Sequence, residues 1–252
     1  MAGSFNARGE LEVSDGLLIL AAGKKRSGKS VLALVLFDSF PDDRVVIDVN
    51  GDDGPRQDVI ELRGSVHELP RRWPEEQREH PGQRMTLRYV PDVGSATFLE
   101  DVDAVVGLAL AHGRERHHDG GRGCALLIHE IGRVAPANRT RPHMLRALSQ
   151  NRHYRTTVIM CGPRPQSIDP LCVQQCDLIY VFELLNPSDR TRLAESIGWD
   201  PRDFDAAIEN LGPHEYLRFD ANEQRPEDGE DDLRLIHFPA LPQDLVDAAR
   251  AA

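Results

Sequence analysis

Hydrophobic positions along the chain cluster into short runs separated by glycine, proline and charge. Leu17-Leu18-Ile19-Leu20-Ala21-Ala22 is apolar throughout and ends at a glycine, as a buried parallel strand does. After the turn that follows, Ser30 to Phe40 reads as a helix closed by Pro41-Asp42-Asp43. Val45 to Val49 reads as a second strand, followed by the turn Asn50-Gly51-Asp52-Asp53-Gly54-Pro55. Strand–helix–strand is the unit that parallel sheets require. Pro70 to Arg84 mixes Pro, Glu and Arg without a clean period and reads as a surface excursion. Further strands are expected at Thr86–Val90, Cys124–Ile128, Thr156–Cys161, Leu178–Phe182, Glu215–Phe219 and Leu233–Phe238. Helices are expected at Phe98–His112, Pro142–Asn151, Ser188–Ile197 and Arg202–Leu211, with a loop from Gly113 to Gly123. No internal repeat is visible.

At 252 residues and 40% hydrophobic content, the chain is long enough for one large α/β domain and too apolar for a wholly disordered one. The expected organisation is a single domain over 1–252, with a core at about 11–219, an acidic loop at 220–232 and a C-terminal strand and helix at 233–252. No apolar run approaches the roughly 18–20 residues of a membrane span. The first residues, Met1-Ala2-Gly3-Ser4-Phe5-Asn6, lack the basic and apolar regions of a signal peptide, so a cytoplasmic protein is expected. Cys124 and Cys161 fall in or beside buried runs. Cys172 and Cys176 sit one helical turn apart without a partner pair for zinc, so reduced, buried thiols are expected.

Charge changes the picture through its distribution. The net charge is −11, but Asp220 to Asp232 holds seven acids against Arg225 alone, while Ile131 to Ile168 holds seven arginines and no acid.

Gly23-Lys24-Lys25-Arg26-Ser27-Gly28-Lys29-Ser30 matches G-x-x-x-x-G-K-[ST], with a strand before it and a helix after. Glycines let backbone N–H groups curl around phosphates, and the helix turns its positive end toward them. Lys29 is placed to reach the β- and γ-phosphates of ATP, and Ser30 to put its hydroxyl on Mg²⁺. Val31 completes the expected nucleotide-binding set. Across the sheet, Ala125-Leu126-Leu127-Ile128-His129-Glu130 ends a strand in a carboxylate that suits a general base for water. The string His129-Glu130 is not a zinc-protease motif, because the fifth position is Arg133.

These residues resemble the FtsK–HerA superfamily of DNA-pumping ATPases, above all its short, single-domain genome-packaging members in viruses, phages and mobile elements. The resemblance runs from about Leu17 to Arg192 through the glycine-rich loop, Val46-Ile47-Asp48-Val49-Asn50-Gly51-Asp52, and Leu126 to Glu130. Its most specific part starts at Asn151-Arg152-His153-Tyr154-Arg155 and passes through Gly162-Pro163-Arg164-Pro165 to Asn186-Pro187-Ser188-Asp189-Arg190. It implies a three-layer P-loop NTPase with a mainly parallel sheet, an additional strand between the two nucleotide-binding strands, a hexameric ring and ATP-driven movement along double-stranded DNA. It also implies a viral or mobile-element docking protein as a further partner, and assigns catalysis to Glu130, Lys29 and Arg152, the last acting on a neighbouring subunit. Two positions depart from the family: His129 stands where an Asp usually precedes the catalytic Glu, and Pro163 where a Gln senses the γ-phosphate.

The arginines of 131–168 fit DNA-phosphate or subunit contacts, with a solvated helix face as the alternative. Two other functions stay open: a nucleotide-dependent switch or assembly factor with little turnover, suggested by His129 and Pro163, and a small-molecule kinase sharing the loop.

Overall fold

The computed structural model describes residues 16–41, 43–51, 59–67, 69–79, 83–118, 120–121, 123–223 and 234–251. The N-terminal stretch, the turn residues Asp52 to Pro55 and most of the acidic segment after Glu223 lie outside them.

Among the described residues nine strands form one sheet in the order β3-β4-β2-β5-β6-β1-β7-β8-β9. These are β1 (Leu18–Ala22), β2 (Asp43–Ile47), β3 (Val59–Arg63), β4 (Thr86–Val90), β5 (Cys124–Ile128), β6 (Thr156–Gly162), β7 (Leu178–Val181), β8 (Tyr216–Asp220) and β9 (Leu235–Phe238). The first seven in space run parallel, and β8 and β9 are antiparallel. The expected α/β class and mainly parallel sheet are therefore present, and β6 is the additional strand between β1 and β5.

Period-two alternation divides the buried strand residues between two cores. Ile19, Ala21, Leu127 and Ile159 face helix α1 (Lys29–Asp38), on which α9 (Gln243–Ala251) packs. Leu18, Leu20, Leu126 and Val158 face the opposite layer, built from α2 (Leu69–Glu79), α3 (Phe98–His118), α4 (Ile131–Val134), α5 (Pro142–Gln150), α6 (Leu171–Gln174), α7 (Pro187–Ile197) and α8 (Pro201–Glu209). Both faces of the central strands are covered, which is why these strands read as unbroken apolar runs.

Two expectations are corrected. The stretch from Pro70 is not an irregular excursion: most of it is α2, whose Leu69 and Trp73 are buried. Gly113 does not open a loop, because α3 continues to His118. A Cβ at Gly113 would lie 2.5 Å from Thr156 Oγ1 and 2.7 Å from the Tyr154 carbonyl, so this glycine serves close packing inside a helix.

Candidate nucleotide site

The turn between β1 and α1 is built as an anion cradle. Arg26 (φ 64°) and Gly28 (φ 104°) take the left-handed conformation, which turns the chain sharply into α1. Gly23 lies against Phe182, where an added Cβ would stand 2.6 Å from Phe182 Cβ and 2.8 Å from Ser27 Oγ. Phe182 is itself held by Tyr216, ring centroids 5.2 Å apart, and Tyr216 stacks on Phe238. The loop thus rests on an aromatic floor.

No side chain caps the N-terminus of α1, which leaves the free N–H groups of a helix start pointing out of the loop. Ser27 Oγ is buried and has no hydrogen-bond partner among the described residues. Lys29 is buried, its Nζ 3.3 Å from the Lys24 carbonyl. Lys24 pairs with Glu183 at 2.5 Å, while Lys25 and Arg26 are exposed. Such a cradle fits a nucleotide triphosphate. Ser30, exposed at the helix start, offers a hydroxyl to Mg²⁺. Among the described residues no cluster of three or more His, Cys, Asp or Glu side chains could hold a metal alone. That donor set suits Mg²⁺, which keeps waters and binds largely through substrate phosphates.

Glu130 follows β5 at φ 56°, a strained position for a side chain of its size, and starts α4 half-buried. Register fixes its height. Ile128 pairs with Met160 and Ala22 with Gly162, so Glu130 sits at the level of Gly162 and the loop start. Two strand spacings, about 10 Å, separate it from Gly23. Among the described residues its carboxylate makes no hydrogen bond or ion pair. Gly162 is required between them, since a Cβ there would fall 2.9 Å from Ile131 Cγ2.

His129 is buried beside Asp48, which accepts from Arg88 Nη2 at 2.5 Å while Arg88 Nη1 reaches Glu61 at 2.7 Å. Burial pushes the Asp48 carboxyl up, but the Arg88 bond, the nearby His129 and Arg88 charges and the Gly51 N–H outweigh it and hold it below the usual carboxylate range. The buried charge at this strand end is thus committed to Arg88.

Arg152 lies elsewhere. It precedes β6 and pairs with Asp177, which also accepts from the Leu18 N–H at 2.8 Å. This is the opposite end of the strands, and the seven residue steps from Gly16 to Gly23 span about 23 Å. Arg152 is exposed there and cannot reach its own phosphate loop. Arg164 turns to Asp189 at 3.6 Å, tying the turn after β6 to α7. Arg141 pairs with Glu100, whereas Arg133, Arg139, Arg146 and Arg155 are exposed without ion pairs among the described residues.

His214 was not singled out in the sequence. At φ 63° it points Nδ1 to the Ser27 carbonyl, 3.2 Å away, and so braces the loop from the C-terminal part of the chain. Only a lone histidine after Gly212-Pro213 marks it.

Neither protein-family models nor curated proteins match this sequence. Solved structures do. The genome packaging NTPase B204 of Sulfolobus turreted icosahedral virus 2, in complex with AMP, superposes with a TM-score of 0.63 at 17% identity, covering 91% of this chain and 98% of that one. The DNA-packaging ATPase B204 of Sulfolobus turreted icosahedral virus gives 0.60 at 18%, covering 91% and 100%. This chain has the P-loop NTPase fold. VirB4 of Thermoanaerobacter pseudethanolicus shares it more distantly, with a TM-score of 0.54 at 12% identity over 97% of both chains. At these identities the likeness is one of fold. Among the described residues no helix is long and apolar enough to cross a membrane.

Proposed function

We propose that this protein binds ATP with Mg²⁺ and hydrolyses it to move double-stranded DNA, as a translocase of the packaging or mobile-element type. The observation that carries the reading is the placement of Glu130, an unengaged carboxylate, level with the phosphate cradle across β6. Water held between them attacks the γ-phosphorus, passes a proton to Glu130, and the bond to the β–γ bridging oxygen breaks. Lys29 offsets charge on the β- and γ-phosphates, and Ser27 Oγ with the helix N–H groups orients them. Bound Mg²⁺, held by Ser30 and by water, would neutralise charge on the same oxygens. Arg152 acts on the site of a neighbouring subunit in a ring, hexameric by resemblance. The exposed Arg133, Arg139, Arg146 and Arg155 supply contacts to DNA phosphates that carry no sequence preference. The nucleotide-bound and DNA-packaging descriptions of the structural neighbours support this reading.

A second reading has an observation of its own. His129 replaces an acid and Asp48 is committed to Arg88, so the strand end offers little free negative charge beside Glu130. A switch that binds ATP and barely turns it over follows from that. Steady-state hydrolysis by wild type and Glu130→Gln, each with and without duplex DNA, separates the two. DNA-stimulated turnover lost on substitution is the motor's signature. ATP binding without turnover in either protein makes it a switch, and phosphate recovered on a metabolite instead of in water makes it a kinase.

A further inference from the structure

Arg152, the residue proposed to act on a neighbouring subunit, is held at both its backbone and its tip. The backbone lies against Gly16, just before β1. A Cβ on Gly16 (φ 74°) would stand 2.9 Å from Arg152 Cα, so only glycine lets the two segments approach this closely. Beside it, Asn151 Nδ2 donates to the Gly16 carbonyl at 2.7 Å, and the Asn151 carbonyl accepts from the Thr156 N–H at 3.0 Å. The turn that carries Arg152 is thus tied to the starts of both β1 and β6.

The guanidinium is held by Asp177. Arg152 Nη2 donates to Asp177 Oδ1, while Asp177 Oδ2 accepts from the Leu18 N–H at 2.8 Å. The Asp177 N–H in turn donates to the Leu18 carbonyl at 2.8 Å. The carboxylate side chain is therefore buried, 7% exposed, and fixed to β1, whereas the arginine it holds is 67% exposed. A pair of two exposed side chains contributes little, because both must be ordered to make it. Here the fold orders the acid, and only the arginine has freedom to lose. That loss is taken on folding and not again when two subunits meet. Among the described residues the guanidinium uses one corner for Asp177, which leaves its other N–H groups to meet phosphate oxygens outside the chain. Arg155, three residues on, is exposed and has no ion pair among the described residues to support it.

We infer that Asp177 is a positioning residue for hydrolysis: it holds the Arg152 guanidinium outward, so that its charge reaches a neighbouring subunit's phosphates already oriented. This role rests on the proposed action of Arg152 across a subunit boundary. The bond to the Leu18 N–H fixes where the bond to Arg152 is made, which is why one carboxylate serves both a buried backbone group and a surface side chain.

Asp177→Asn tests the role, because the amide keeps an oxygen for the Leu18 N–H and turns an NH₂ group toward Arg152. DNA-stimulated kcat should fall about tenfold, the effect of one charge-assisted hydrogen bond, with KM for ATP within about twofold of wild type. The double variant with Arg152→Ala should be no slower than Arg152→Ala alone. Mixing then separates positioning from damage to the subunit's own site. Equal amounts of Asp177→Asn and Glu130→Gln should hydrolyse faster than the mean of the two alone, since some sites then combine an intact Glu130 with a well-held Arg152. Asp177→Asn with Arg152→Ala should show no such gain. Glu130→Gln with Arg152→Ala, which should also recover, is the control that subunits exchange. With that control positive, an unchanged or raised kcat in Asp177→Asn overturns the role of Asp177 and leaves Arg152 in place. So does a double variant slower than Arg152→Ala, or a gain in both Asp177→Asn mixtures or in neither. A wild-type rate in Arg152→Ala, or a negative control, removes the arginine reading; absence of turnover in wild type removes hydrolysis itself. The role of Asp177 falls with either.

Discussion

At the residue scale, individual contacts explain why particular side chains are tolerated or required. Gly23 is one such position, because the floor formed by Phe182 leaves no space for a methyl group. Gly23→Ala must displace Phe182 or Ser27, an overpacking cost of about 1–3 kcal/mol that falls on the loop itself. Calorimetry should show ATP affinity falling by about tenfold or more. Asp43, away from the site, is held by a buried network. His112 Nε2 lies 2.7 Å from its Oδ2, Trp73 Nε1 donates to His112 Nδ1 at 3.3 Å, and the Met85 N–H donates to Oδ1 at 2.7 Å. With Nδ1 accepting from Trp73, Nε2–H is the donor to Asp43. Burial raises the Asp43 pKa, but the bonds from His112 and Met85 and the Arg116 charge more than offset this and hold it below its ordinary value. A depressed carboxyl contributes stability that is present above the unfolded pKa of about 3.9 and is lost as pH falls through the folded value. Asp43→Asn should therefore cost about 1–3 kcal/mol near pH 7. Its thermal-unfolding midpoint should converge on that of wild type below about pH 4.

At the element scale, α2 carries the clearest test. Among its described side chains only Leu69 and Trp73 are both apolar and buried, one helical turn apart, and Pro74 follows at once. The helix is held by docking Trp73 onto His112 of α3, ring centroids 4.9 Å apart, rather than by a long apolar stripe. Trp73→Ala should lower stability by about 3–5 kcal/mol, read as a drop in denaturation midpoint, with the phosphate loop unperturbed. That same dependence hid α2 in the sequence: two anchors are too few to establish a period. The extension of α3 was hidden for a related reason. Gly113 looks like a helix breaker in isolation, and only the strand-start backbone at Tyr154 explains why nothing larger fits.

At the scale of the whole molecule, the carboxylate and the arginine proposed for catalysis lie at opposite ends of adjacent strands. Glu130 stands at the carboxyl end of β5, and Arg152 at the amino end of β6, paired with Asp177. Within one chain they cannot serve the same phosphate, so the proposed mechanism demands a neighbour. Arg152→Ala should keep ATP binding and lose most DNA-stimulated hydrolysis, as should Glu130→Gln. Mixing the two inactive proteins should restore part of the activity, because some interfaces then pair an intact Glu130 with an intact Arg152. Turnover at the wild-type rate in Arg152→Ala, or no recovery on mixing, would remove the arginine from catalysis.

Much of the fold was legible in the chain itself, because parallel strands buried on both faces must be apolar throughout. The run Leu17–Ala22, the run ending at Ile128 and the glycine-rich loop between strand and helix all declare themselves locally. The candidate residues Gly23 to Val31 and Glu130 are legible in the same way, since the motifs that mark them lie within neighbouring positions. What the sequence could not contain were relations across the fold. That Asp48 is engaged by Arg88, that His214 braces Ser27, and that residues 240–246 wall the cavity beside α1 all join residues from about 40 to 215 positions apart. Such pairings leave no periodic trace along the chain. They exist only once the sheet has brought the carboxyl ends of its strands to one edge, and there the tertiary structure alone decided which polar groups are spent on each other and which remain for a ligand.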